Sequence, residues 1–193
     1  MIVAIVKYNA GNIRSVDFAL KRLGVEAILT DDPHRISSAE KVIFPGVGEA
    51  STTMAYLKER DLDTVIRKLS QPVLGICLGM QLMCSYSDEG NTQGLGIFKE
   101  KVVRFGPGKK VPHMGWNRVE QTRSPLFDAS LEDQYMYFVH SYYAAVGPDT
   151  AAVTDYMGYF SAALVKDNFF ATQFHPEKSG GAGELLLKRF LML

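Results

Sequence analysis

The segment Val73-Leu74-Gly75-Ile76-Cys77-Leu78-Gly79-Met80-Gln81 constrains this chain more than any other. An unbroken apolar run of strand length leads into Gly-x-Cys-x-Gly, and then into a helix-forming stretch that opens on Leu78. A strand without polar alternation is covered on both faces, which in short α/β chains means a parallel sheet between helices. The turn that follows must be sharp. Residues two before and two after the cysteine approach each other, and glycine at both places has no Cβ to collide. This is the cysteine counterpart of the Gly-x-Ser-x-Gly nucleophile elbow. It lifts the sulfur from the sheet and sets it at a helix N-terminus, where partial positive charge favours thiolate. The N–H of Leu78 is then available for a developing oxyanion. A lone cysteine is more often a small buried hydrophobe; the two glycines after an apolar strand reverse that reading for Cys77. Nothing reverses it for Cys84, which is expected in mid-helix as a structural residue.

The rest of the first half repeats the strand–helix rhythm. Strands are expected at 2–6, 25–29 and 41–44. A helix is capped by Asn12 and stopped by Gly24, and 49–69 is helical in two pieces that break near Asp61. The second half has short runs rich in Val, Tyr and Phe, among them 135–139, 151–154, 161–165 and 169–174, expected as partly antiparallel strands. A helix over 184–193 closes the chain. With 193 residues and no linker or repeat, one domain over 1–193 is expected, with a mixed, mostly parallel sheet. Lys+Arg and Asp+Glu both number 21, so charge gives no reason to expect nucleic acid or a membrane surface as partner. No apolar run approaches the roughly 20 residues of a membrane helix, no secretory leader is evident, and two cysteines left unpaired suit the cytoplasm. The Cys and His spacings fit no zinc site, so neither metal nor cofactor is expected.

A thiolate that attacks an amide needs a proton donor for the leaving nitrogen, and histidine suits that near pH 7. His175 lies in Gln173-Phe174-His175-Pro176-Glu177, behind an apolar strand. Glu177, two residues on, is expected on the same side of an extended backbone, where a carboxylate fixes the imidazole's tautomer and stabilises its charged form. Alone, His-Pro-Glu would be a strand-end turn; with a cysteine elbow about 100 residues upstream the catalytic reading prevails. His34 is expected in a solvated loop, His140 is read as orienting nearby backbone, and His113 has no assigned role. The basic stretch Lys99, Lys101, Arg104, Lys109 and Lys110 is expected as a solvated hairpin.

Together the elbow and Phe174-His175-Pro176-Glu177 resemble the class I glutamine amidotransferases over the whole chain. The resemblance implies a flavodoxin-like α/β fold and a glutamyl-thioester on Cys77. Pro112-His113-Met114-Gly115-Trp116-Asn117, Tyr137-Phe138-Val139-His140-Ser141-Tyr142, Pro45-Gly46-Val47-Gly48 and Lys178-Ser179 are similar to the branch that serves imidazole glycerol phosphate synthase. The family often has an acidic residue where this chain has Lys7 and glycine where it has Ala10. By this resemblance Gln81 and Glu89 hold the two ends of glutamine's α-amino acid group, with Ser141 and Tyr142 helping through backbone. Gly46, Val47 and Gly48 form an oxyanion strand that works with Leu78, and rotation of its peptide would act as a switch. Asn12, Trp116, Tyr137 and Lys178 lie at the ammonia exit and subunit interface, although large aromatics are by themselves more often core. No synthase domain fits in the remaining residues, so the implied partner is a cyclase subunit, a (β/α)8 barrel, in a heterodimer. The glutaminase of another synthase, a non-catalytic family member and a cysteine hydrolase for another substrate are the alternatives.

Overall fold

Three four-residue strands, Val3–Val6, Lys41–Phe44 and Val73–Ile76, are buried at every position, as strands covered on both faces must be. They belong to a computed structural model that describes residues 1–8 and 13–193. Asn12, expected as helix cap and interface residue, lies outside the described residues, as does Ala10. The element order is β1 (Val3–Val6), α1 (Ile13–Arg22), β2 (Ala27–Thr30), α2 (Pro33–Ser38), β3 (Lys41–Phe44), α3 (Ala50–Glu59), α4 (Leu62–Arg67), β4 (Val73–Ile76), α5 (Leu78–Met83), β5 (Tyr86–Ser87), β6 (Thr92–Gln93), β7 (Lys101–Arg104), β8 (His113–Arg118), β9 (Tyr135–His140), β10 (Tyr142–Ala144), β11 (Thr150–Asp155), β12 (Tyr159–Lys166), β13 (Phe169–Thr172) and α6 (Gly180–Met192). Short 3-10 turns cover Glu89–Asn91 and Pro176–Lys178.

The main sheet has seven strands in the order β11-β12-β13-β4-β3-β1-β2. From β13 to β2 every pairing is parallel, while β12 and β11 add antiparallel at one edge. Strand alternation divides the core between the two faces. Ala4, Val6, Val42, Phe44 and Val73 pack with Ile36, Leu57, Leu62 and Ile66 of α2, α3 and α4. Val3, Ile5, Ile43, Leu74 and Ile76 pack on the other side with Val16 and Leu20 of α1, Phe138 of β9, and Leu186 and Phe190 of α6. A four-stranded sheet, β10-β7-β5-β6, and a two-stranded ribbon, β8-β9, stand beside this frame. No helix among the described residues is long and apolar enough to cross a membrane.

Several local expectations need correction. The second strand spans 27–30, not 25–29. Helix α2 went unread, and His34 stands exposed in its first turn, not in a loop. The signal was present in Asp32-Pro33: the Asp32 carboxylate accepts from the N–H of His34 at 2.8 Å and of Arg35 at 3.3 Å, with proline at the first helical position. The closing helix starts at Gly180, four residues early, because two glycines at its head mask the pattern. Lys101–Arg104 is no hairpin of its own: it lies between β10 and β5 in the second sheet. Cys84 caps the C-terminus of α5 and is not in mid-helix. The break at Asp61 is as expected, with that residue left-handed at φ 54°.

Candidate active site

Strand β4 delivers Cys77 to the carboxyl edge of the sheet, where open α/β sheets bind ligands. The cysteine has φ 52° and ψ −108°, a backbone state that costs an L-residue about 1–3 kcal/mol and persists only where surroundings enforce it. They do so here. The Cys77 N–H donates to Thr172 O at 2.7 Å, and its carbonyl accepts from the Gln81 N–H at 3.1 Å. A Cβ on Gly79 would strike the Phe44 carbonyl, and one on Gly75 would lie 3.2 Å from the Gly79 carbonyl carbon. Both cysteines are free and buried.

Strand β13 is the parallel neighbour of β4, with Thr172 opposite Ile76, so the residues that leave both strands meet at one edge. His175 is among them, its backbone N–H donating to Tyr137 O at 2.9 Å. Its Nδ1 lies 2.9 Å from Glu177 Oε1, with both side chains 2% exposed. The expected pairing is present, but extended-strand alternation does not make it. β13 ends at Thr172, and proline at the first position of the turn Pro176–Lys178 starts a 3-10 coil that carries Glu177 back under the ring. His175 Nε2 is buried and makes no regular hydrogen bond among the described residues; the group it interacts with is Cys77.

Burial alone would push the His175 imidazole down; the charge of Cys77 and the Glu177 carboxylate outweigh it and hold the group up at about 10. Its unfolded value is about 6.5. A group raised on folding contributes stability that is fully present below the unfolded value and is lost as pH climbs through the folded one. Between about pH 6.5 and 10 the wild type is therefore expected to lose stability relative to His175→Gln. Urea midpoints measured across that window check this, and parallel pH profiles would refute it.

Cys77 and His175 open into a pocket of about 350 Å³ whose wall includes Gly46, Val47, Gly48, Leu78, Gln81, Glu89, Ser141 and Tyr142. The sequence-predicted glutamine contacts are thus gathered in one cavity with Cys77. Glu89 Oε2 accepts from the Ala50 N–H at 2.9 Å. Burial pushes its carboxyl up, with the Glu49 charge adding to the rise and the Ala50 bond opposing it, so a cation placed beside Glu89 would relieve it. Gln81 donates through Nε2 to Tyr142 O at 2.8 Å and to Gln173 Oε1 at 2.9 Å. Gln173 in turn places its Nε2 3.6 Å from Cys77 Sγ. Its place beside the sulfur was missed in the sequence: it stands two residues before the histidine, and only the pairing of β13 with β4 brings it there.

The two buried histidines form a chain whose tautomers are fixed by their partners. The Tyr142 carbonyl can only accept, so His140 Nδ1, 2.8 Å away, carries the proton. His140 Nε2 then accepts from His113 Nδ1 at 3.1 Å, and His113 Nε2 accepts from Asn117 Nδ2 at 3.3 Å. Burial pushes His113 to about 4 and His140 to about 3, so both stay neutral. His140 thus does orient backbone, and His113, left without a role by sequence, braces it.

The two expected oxyanion donors are both engaged elsewhere. The Leu78 N–H points to Gly46 O at 3.4 Å. The Val47 N–H donates to Tyr8 Oη at 3.2 Å, and that hydroxyl donates to Pro45 O at 2.7 Å. Gly48 follows at φ 122°, a conformation open to glycine and strained for other residues.

On the outer face of the β8–β9 ribbon, Trp116 is 55% exposed and pairs across strands with Tyr137. Their rings meet edge to face at 6.1 Å, and Lys178 Nζ sits 5.9 Å from the Tyr137 ring centre. The three interface candidates that the structure describes form one patch, which exposed Met114 and Tyr135 extend. They are not core. His175 and the patch share a backbone link through Tyr137 O.

The model of the family "Glutamine amidotransferase class-I" matches residues 5–193. Imidazole glycerol phosphate synthase subunit HisH of Bacteroides fragilis is 63% identical over 196 aligned positions, covering 100% of both chains. The subunit of the same name from Haemophilus influenzae is 46% identical, covering 98% of this chain and 96% of its own. Among solved structures, a crystal structure of a glutamine amidotransferase superposes with a TM-score of 0.77 at 22% identity, covering 98% of this chain and 97% of that one. Another, from Thermotoga maritima, gives 0.65 at 18%, covering 99% and 80%. At those identities the superpositions speak for the fold alone. The chain belongs to the class I glutamine amidotransferases, on their HisH branch.

Proposed function

We propose that residues 1–193 act as one glutaminase domain, hydrolysing glutamine to glutamate and ammonia through a thioester on Cys77. The observation that carries this is the meeting of Cys77 with the His175–Glu177 pair, bonded at 2.9 Å, in a pocket that also holds Gln81 and Glu89. The Cys77 thiolate attacks the side-chain amide carbon of glutamine. Its negative charge passes to the amide oxygen, which turned backbone N–H groups of Val47 and Leu78 would hold; one such donor is worth about 3 kcal/mol. As the C–N bond breaks, His175 Nε2 gives its proton to the nitrogen and ammonia leaves. The neutral ring then takes a proton from water, hydroxide adds to the thioester, and glutamate departs with the thiolate restored. Glu177 keeps the ring oriented and its charged form stabilised throughout.

Glu89 and Gln81 select the free amino acid. Glu89→Gln is expected to raise KM for glutamine about tenfold, the loss of one charge-assisted bond, with kcat little changed. Steady-state kinetics decide; an unchanged KM would remove Glu89 from the substrate.

The HisH relatives support a partner. Ammonia that reaches bulk water is protonated and lost as a nucleophile, so the product is passed directly to a cyclase subunit, a (β/α)8 barrel docked on the Trp116–Tyr137–Lys178 patch. That subunit makes imidazole glycerol phosphate and an aminoimidazole carboxamide ribotide from its phosphoribosyl substrate, in histidine biosynthesis. A cytoplasmic heterodimer fits these roles and the two free thiols. Glutamate release by the chain alone, and with the cyclase subunit plus its nucleotide ligand, tests the reading. Strong stimulation is expected. Glutaminase activity indifferent to the partner would keep the chemistry and reject this partner.

A further inference from the structure

In the resting conformation both expected oxyanion donors are taken: the Val47 N–H donates to Tyr8 Oη, and the Leu78 N–H lies 3.4 Å from Gly46 O of the same Gly46–Val47 peptide. Beside the long Leu78 contact, one side chain holds the N–H end of that peptide. Tyr8 is buried, its ring edge-to-face on Phe44 at 5.8 Å. Its hydroxyl completes two bonds at once, donating to Pro45 O at 2.7 Å and accepting from the Val47 N–H at 3.2 Å. Burial pushes the phenol up, with the charge of Cys77 adding to the rise and the Val47 bond opposing it, so the hydroxyl keeps its proton.

The donor inventory of a phenol makes this arrangement one-sided. If the peptide turned, the Gly46 carbonyl would swing towards the place the Val47 N–H now fills. The Tyr8 hydroxyl would then face two carbonyls, Pro45 and Gly46, with one proton between them. The hydroxyl itself makes two bonds in the resting orientation and one in the turned orientation. A small void of about 10 Å³ bordered by Tyr8, Gly46, Val47 and His175 lies beside the peptide on the Tyr8 side.

We infer that the Tyr8 hydroxyl is a latch: a positioning residue that holds the oxyanion strand in its resting orientation and keeps the unstimulated glutaminase slow. The inference rests on the glutaminase reading above, and it concerns the population of competent strand and not the chemistry. A latch of one net hydrogen bond corresponds to about a five- to tenfold change in that population.

Tyr8→Phe keeps the ring on Phe44 and removes the hydroxyl. The variant is expected to raise unstimulated kcat for glutamine hydrolysis about fivefold or more, with KM unchanged. The rate with cyclase subunit and ligand should stay near wild type, so the stimulation ratio falls by the same factor. Amide exchange at Val47, followed by NMR, should quicken in the variant and gives a readout free of catalysis. A folded Tyr8→Phe protein with unchanged or lower unstimulated kcat overturns the latch, and so does quicker Val47 exchange without a gain in kcat. Absence of glutamine hydrolysis in every form would instead overturn the glutaminase reading; Val47 exchange, unchanged in Tyr8→Phe, would then still dismiss the latch.

Discussion

Cys77→Ala is expected to lower partner-stimulated glutamine hydrolysis by about 10⁵-fold or more, the scale on which loss of a covalent nucleophile is felt. The residue is 8% exposed, and the change removes one sulfur from the pocket edge, so fold and partner binding should survive. Retention of the thermal midpoint and of complex formation would show that only chemistry was lost. Cys84→Ala is the matched control. Cys84 is fully buried, its Sγ lies 3.5 Å from Met80 O, and burial pushes its thiol well above the ordinary cysteine value. A thiol that cannot ionise is no nucleophile, and this second variant should keep its activity. Residual hydrolysis in Cys77→Ala beyond the uncatalysed level would assign the nucleophile elsewhere. Incubation of the wild type with an alkylating agent should label Cys77 alone, and glutamine should slow that labelling.

The second large effect belongs to Gly79→Ala. An added Cβ meets the Phe44 carbonyl, a backbone atom of the neighbouring strand that cannot swing aside as a side chain can. To admit the methyl group, α5 must separate from β3, which also moves Leu78, Gly46 and Cys77. A cost of about 3 kcal/mol is expected, at the upper end for overpacking, with a fall in Tm of about 6–12 °C and loss of glutaminase activity even where the fold persists. Gly181→Ala, in the first turn of α6 with nothing within 4 Å of the new atom, should be neutral or stabilise by about 0.5 kcal/mol. Differential scanning calorimetry of the pair separates the collision from any general effect of replacing glycine. A Tm for Gly79→Ala equal to that of the wild type would mean that the elbow does not need the close approach.

The elbow was legible because everything that shapes it is local. An apolar four-residue strand, two glycines flanking a cysteine and a helical stretch fix the turn within nine residues, and the structure gives Cys77 the strained backbone such a turn requires. The alternation of strand and helix over the first half, and the break at Asp61, were legible for the same reason. Where local signals were weak the boundaries moved: α6 behind its two glycines, α2 behind an unread Asp-Pro start.

What sequence could not supply was decided by strand order. Periodicity tells which face of a strand is buried but not which strand lies beside it. Placing β13 next to β4 brings His175 and Gln173 to Cys77 across about 100 residues. The local turn at Pro176, and not strand alternation, then brings Glu177 beneath the histidine. The neutral histidine chain to the Tyr142 carbonyl depends on the pairing of β8 with β9. The Tyr8 hydroxyl reaches the Val47 N–H because β1 and β3 are neighbours. Sequence thus determined the turn that presents Cys77, the proposed nucleophile. Tertiary structure decided which groups face that nucleophile and which backbone donors are tied up, since hydrogen bonds between distant segments exist only once the sheet has chosen its order.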